Sequence, residues 1–184
     1  MLPPRSAFES NDTVNHVVAL LVRFPEIHSV RSNPADQSLT LAFAVGARLD
    51  REAVRTFGEL LTDHVRAALE LRGEEPSKVV VSAERDAHVT FINVARDFAS
   101  FTREELELQI ELFADRFGAK LVKNPAPDEP LDDDPATRDE LVETALDALR
   151  DPAQRNRLVG FREEKRVLVY FVHSGKGAKA RARS

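Results

Sequence analysis

The side chains able to carry chemistry are scattered along the chain. Five histidines occur, His16, His28, His64, His88 and His173, and no two are close in sequence. None forms the His-Glu-x-x-His arrangement that sets two imidazoles on one helix face around zinc with a glutamate as base. An enzymatic or metal-dependent site would have to gather histidines and carboxylates from distant segments. His64 lies beside Asp63 at the edge of a helix stripe, His88 begins a strand and His28 ends a loop. For such positions a solvated or hydrogen-bonded imidazole is the ordinary role.

Asp132-Asp133-Asp134 offers the carboxylates that calcium or magnesium prefer. It lacks the turn glycine and the closing glutamate of an EF-hand loop. Asp134 before Pro135 instead has the form of a helix N-cap followed by proline at the first helical position, with nearby acids favoured by the helix dipole. Ser174-Gly175-Lys176-Gly177 follows a β-rich strand, yet a phosphate loop needs an upstream glycine, a hydroxyl residue after Gly-Lys and then a helix. Gly177 stands in place of the hydroxyl residue and seven residues follow it. There is no Gly-x-Ser-x-Gly elbow. No residue is therefore assigned a catalytic, metal-binding or cofactor-binding role, and no cofactor is expected.

One cluster keeps a binding chemistry. Lys176, Lys179, Arg181 and Arg183 follow β-rich sequence with no acid between Ser174 and Ser184. Such cations contact phosphates, or an acidic partner, with salt-dependent affinity; a frayed, solvated terminus is the commoner role. Any base stacking beside the tail would fall to Phe161 and Phe171, since the chain has one tyrosine and no tryptophan.

Composition narrows the classes further. The absence of cysteine removes disulfide scaffolds, thiolate nucleophiles and cysteine-ligated metal together. A net charge of −5, with 31% charged residues, suits a soluble globular protein and argues against a generally nucleic-acid-binding surface. The start, Met1-Leu2-Pro3-Pro4-Arg5, lacks the basic and apolar regions of a secretory signal. The longest apolar run, residues 17–22, is far short of the roughly 20 residues that cross a bilayer. The expectation is a cytoplasmic protein without a membrane span.

The elements that must position these residues are legible from periodicity. Residues 12–24 carry an apolar stripe, Val14, Val17, Val18 and Leu21, behind Asn11 or Asp12 as cap, and Pro25 ends them. Residues 27–31 and 38–45 form a hairpin around Asn33-Pro34-Ala35-Asp36. In its second strand Leu39, Leu41, Phe43 and Val45 face one way; Ser38, Thr40, Ala42 and Ala44 face the other. The small-residue side invites close packing by a helix or a second subunit. Asp50 starts a helix to about Leu71, stopped by Gly73, with Gly58 inside it as a tolerated residue or a point of close packing. Strands follow at 79–81 and 88–95, separated by a turn at Glu84-Arg85-Asp86.

Residues 103–117 fit both a strand alternation and a helical stripe. Thr102 with Glu105 forms a capping box and Gly118 a C-cap, so helix is expected, with a short strand at 120–122 after it. Residues 137–150 form another helix, Thr137 and Glu140 repeating the capping-box spacing. A hairpin of 158–162 and 166–172 turns around Glu163-Glu164-Lys165. Its second strand is apolar on both faces and should be covered on both.

The fold class is thus α+β, with helices layered on a mainly antiparallel sheet and a C-terminal helix plus hairpin. Residues 1–123 form the main domain, 124–136 an acidic proline-rich linker, 137–173 a helix–hairpin unit packing on it, and 174–184 the basic tail. The helix–strand–strand–helix–strand order over roughly residues 12–84 resembles a ferredoxin-like module lacking its first strand, an order shared by metal-transporter cytosolic domains and many small regulatory domains. No family motif accompanies it, and it assigns no functional residue. Residues 39–57 and 89–106 also look alike, either as an internally duplicated strand–helix unit or, more commonly, as two ordinary helix starts with similar capping residues. The favoured function is a non-catalytic interaction or regulatory module that self-associates as a homo-oligomer or binds a protein partner. The alternatives are an enzyme or metal-dependent site of dispersed histidines and carboxylates, and a nucleic-acid accessory protein using the tail.

Overall fold

The computed structural model describes residues 6–125 and 134–172, with side chains from residue 11 onward. Four helices lie against a six-stranded, wholly antiparallel sheet. In chain order the elements are α1 (Ser6–Arg23), β1 (Ile27–Asn33), β2 (Ser38–Val45), α2 (Arg51–Glu70), β3 (Val79–Asp86), β4 (Val89–Asp97), α3 (Arg103–Phe117), α4 (Pro135–Arg150), β5 (Arg157–Glu163) and β6 (Arg166–Val172). The sheet order is β3-β4-β2-β1-β5-β6. Three hairpins lie side by side, and β5 pairs with β1, so the last hairpin extends the sheet begun by the first.

The helices share one face. Val81, Val94, Leu41, Val30, Gly160 and Val169 form one cross-strand row. At one end of the row α2 rests on it, where a Cβ on Gly58 would stand 3.3 Å from Val81. At the other end α1 rests on it, where a Cβ on Gly160 would stand 3.0 Å from Val17 and 3.1 Å from Leu21. Both glycines thus serve close approach of backbone to side chain. Between them α3 inserts Phe113, stacked on Phe43 at 3.8 Å and edge-on to Phe57 at 4.7 Å. α4 packs on α1 and α3; Arg150 donates to the carbonyls of Phe98 (3.0 Å) and Phe101.

Two caps follow the local chemistry, whereas α1 begins at Ser6, upstream of the Asn11 or Asp12 expected to cap it. Asp50 accepts from Ala53 N–H at 2.7 Å and Thr102 from Glu105 N–H at 3.2 Å, each satisfying an otherwise orphan donor. α4 begins earlier than the Thr137–Glu140 spacing suggests: Asp134 is its cap, accepting from the Thr137 amide and hydroxyl at 3.2 Å each, with Pro135 in the first turn.

Three further expectations are corrected. β3 continues through Glu84-Arg85-Asp86 and turns at Ala87-His88. It is an edge strand, so its outward Glu84 and Asp86 remain solvated while inward Arg85 donates to Leu49 O at 2.7 Å. In place of a strand at 120–122 there is a single 3-10 turn, Gly118–Lys120, and one bridge from Leu121 to Val45. β1 begins at Ile27 opposite Phe43, leaving only the last residues of β2 for that bridge. β6 is covered on one face only. Val167, Val169 and Phe171 are partly buried against the core, whereas Leu168, Tyr170 and Val172 are 37%, 48% and 38% exposed.

Candidate functional site

The histidines stay apart. His64 is exposed with Nδ1 2.8 Å from Leu60 O, and His88 is exposed in the β3–β4 turn. His16 is half-buried on α1. His28 is half-buried with its ring 4.9 Å from Phe91; burial, reinforced by the charge of Arg162, lowers its pKa from the ordinary 6.5. Among the described residues no three histidine or carboxylate side chains gather closely enough to hold a metal ion. Asp134 works as a helix cap. His173, Asp132, Asp133, the Ser174–Gly177 stretch and the four cations Lys176, Lys179, Arg181 and Arg183 lie outside the described residues. No helix among the described residues is long and apolar enough to cross a membrane.

Charged groups do converge in one place that the sequence did not announce. Arg96, 1% exposed, points from β4 toward the start of α3. Its Nε and one terminal nitrogen grip Glu105 at 2.6 and 2.8 Å. Its remaining N–H groups reach Lys78 O at 2.7 Å, Ser100 Oγ at 3.0 Å and the Asp97 carboxylate. All five guanidinium donors are thereby used. Burial alone would raise the Asp97 pKa, but hydrogen bonds from the Ser100 hydroxyl and the Lys78 and Ser100 amides, with the Arg96 charge, hold it at about 2. Gln109 donates to Glu105 at 2.9 Å, and its own Oε1 is left without a partner. Glu105, which in sequence completes a capping box, spends its carboxylate on Arg96. The only signal was the pairing of a strand arginine with a helix-start glutamate nine residues later. A closed network with no exposed reactive atom is suited to fixing β3, β4 and α3 together, not to turning over a substrate.

The other side of the sheet carries no helix among the described residues. One row crosses it as Val80, Ala95, Thr40, Arg31, Val159 and Tyr170; the next runs Ser82, Asn93, Ala42, Ser29, Phe161 and Leu168. The centre is small: Ala42 and Ala44 lie low beneath larger neighbours. Arg31 lies over it, donating to Asn93 at 2.9 Å. The β5–β6 end is apolar and aromatic, with Phe161 and Tyr170 edge-to-face at 6.1 Å. Of the two candidate stacking rings, Phe161 lies on this open side and Phe171 on the helix side. β6, the edge beside them, reads Val-Leu-Val-Tyr-Phe-Val after Arg166 and, among the described residues, pairs with β5 alone.

This arrangement can bury another polypeptide: the edge supplies backbone hydrogen bonds and the adjoining open face supplies apolar area. Comparisons with protein-family models, with curated proteins and with solved structures gave no match.

Proposed function

We propose that the chain is a non-catalytic cytoplasmic interaction module that self-associates through β6. The observation carrying this reading is an edge strand with six consecutive uncharged residues, 167–172, whose exposed side chains Leu168 and Tyr170 continue onto Val159 and Phe161 at the apolar end of the open face. Proteins ordinarily blunt such edges with charge, proline or a bulge. A second copy supplies a cover of matching chemistry. Antiparallel pairing about a two-fold axis at Val169 sets Leu168 beside the second copy's Tyr170 and Val167 beside its Phe171. No charge meets a like charge in that register, and the two sheets merge into one. The helix–strand order and the place of β4 between β2 and β3 support the ferredoxin-like resemblance, which is a scaffold and not a function.

Sedimentation velocity of the full chain from micromolar to submillimolar concentration tests the reading. The expected result is a concentration-dependent dimer, abolished when Leu168→Lys and Tyr170→Lys are combined. A strict monomer throughout contradicts it.

A nucleic-acid accessory role has one observation in favour: Phe161 and Tyr170 form an aromatic pair on the open face of the hairpin from which the basic tail departs. Oligonucleotide binding unchanged by deletion of residues 174–184 removes that role for the tail. Dispersed-histidine chemistry finds no support among the described residues.

A further inference from the structure

A second surface lies at the opposite edge of the sheet. Between α2 and β3 runs an open cleft of about 620 Å³. Its floor is apolar and small, with Val54 and Gly58 on the helix and Val81 and Ala83 on the strand. The glycine lets helix and strand approach closely there. Beside the floor, β3 pairs among the described residues with β4 only, so its outer backbone edge adjoins the cleft.

The walls are polarised. α2 and β3 run in opposite directions past each other, because Gly58 meets Val81 while Arg85 donates to Leu49 O just before the helix starts. Arg51 and Arg85 therefore share one end, with Arg55 a turn further in and paired to Glu59 at 3.1 Å. Thr62 and Asp63 lie at the other end. The cleft runs from cationic to anionic over a length that suits a short extended peptide.

We infer that the α2–β3 cleft binds an extended peptide segment of a partner protein as an added strand on β3, with an acidic side chain at the Arg51/Arg85 end, small or β-branched side chains over Gly58 and Val81, and a basic side chain toward Asp63. Backbone pairing supplies affinity that is indifferent to sequence. The charge gradient fixes direction and register, and the shallow floor excludes bulky side chains. The site shares no residue with β6 and does not depend on self-association.

The test is an array of hexapeptides with acid first, base last and varied Val, Thr and Ala between them. It is probed with the full chain beside the same array with its end charges reversed. Amide chemical shifts of β3 and α2 are followed for the peptide retained best. The expected result is saturable binding at least tenfold tighter for the acid-first member of a pair. The exposed substitutions Arg51→Glu and Asp63→Arg each shift preference toward the reversed peptide and keep the wild-type circular dichroism. Equal binding of the two orientations, a preference untouched by both substitutions, or no retention overturns the inference. So do β3 shifts that follow protein concentration alone, which assign the cleft to a second copy.

Discussion

The two edges of the sheet are built on opposite principles. At β3 the outward side chains include Ser82, Glu84 and Asp86, and the strand's start is clamped from below by Arg96 through Lys78 O. At β6 residues 167–172 are all uncharged, and the strand is held by β5 and by aliphatic packing of α1 around Gly160. Charge in an edge resists pairing with a like edge, while an uncharged aromatic edge invites it. An uncharged edge such as β6 suits pairing with a like edge, whereas the charges along β3 restrict pairing there to a segment of complementary charge.

Breaking the clamp has the largest expected effect. Arg96→Met removes the only cation among buried Glu105 and Asp97 and leaves Lys78 O and Ser100 Oγ short of a donor. Removing one partner of a buried pair costs about 3–5 kcal/mol, to be read as a lowered urea midpoint in the dilute protein. A cost below about 1 kcal/mol would show the network to be dispensable. The opposite end of the sheet is tested by Gly160→Ala. The added methyl meets Val17 at 3.0 Å, Leu21 at 3.1 Å and Val169 at 3.2 Å, and overpacking of this kind costs about 1–3 kcal/mol. The same variant displaces α1 from β6 and so weakens self-association along with the fold.

The smallest expected effect is a pH dependence at the clamped end. Asp97 titrates at about 2 in the fold against an ordinary 3.8. A depressed carboxylate pKa contributes stability above the unfolded value and loses it as pH falls through the folded one. Denaturant midpoints should therefore drop between pH about 4 and about 2, and Asp97→Asn should flatten that segment of the profile while lowering stability at neutral pH. An unchanged slope in the variant would place the acid sensitivity elsewhere.

The frame of this molecule was open to reading because its signals are local. Alternation set β2, and Thr102 with Gly118 decided that residues 103–117 are helix. The small face of β2 pointed to a helix or second subunit packed over it, but the helices lie on the opposite face and larger neighbours such as Arg31 lie over Ala42 instead. Local signals misplace the β3–β4 turn, because charged Glu84 and Asp86 look like turn residues until β3 is known to be an edge. The Arg96 network escaped for a related reason. Residues 78, 96, 97, 100 and 105 meet only when two strands and a helix start converge, and each has an ordinary surface role in isolation. The open face was half legible: Ala42 and Ala44 marked it, but the gathering of the helices on the opposite face is a consequence of strand order. That order, with β5 against β1, is set by long-range pairing that no window of sequence contains.

The most direct test of β6 as the association surface is amide hydrogen exchange at two protein concentrations, one where sedimentation gives monomer and one where it gives dimer. Protection should rise in β6 at the higher concentration while β3 is unchanged, and Tyr170→Lys should erase the rise. Protection in β6 that is the same at both concentrations, or a rise confined to β3, would contradict association through β6.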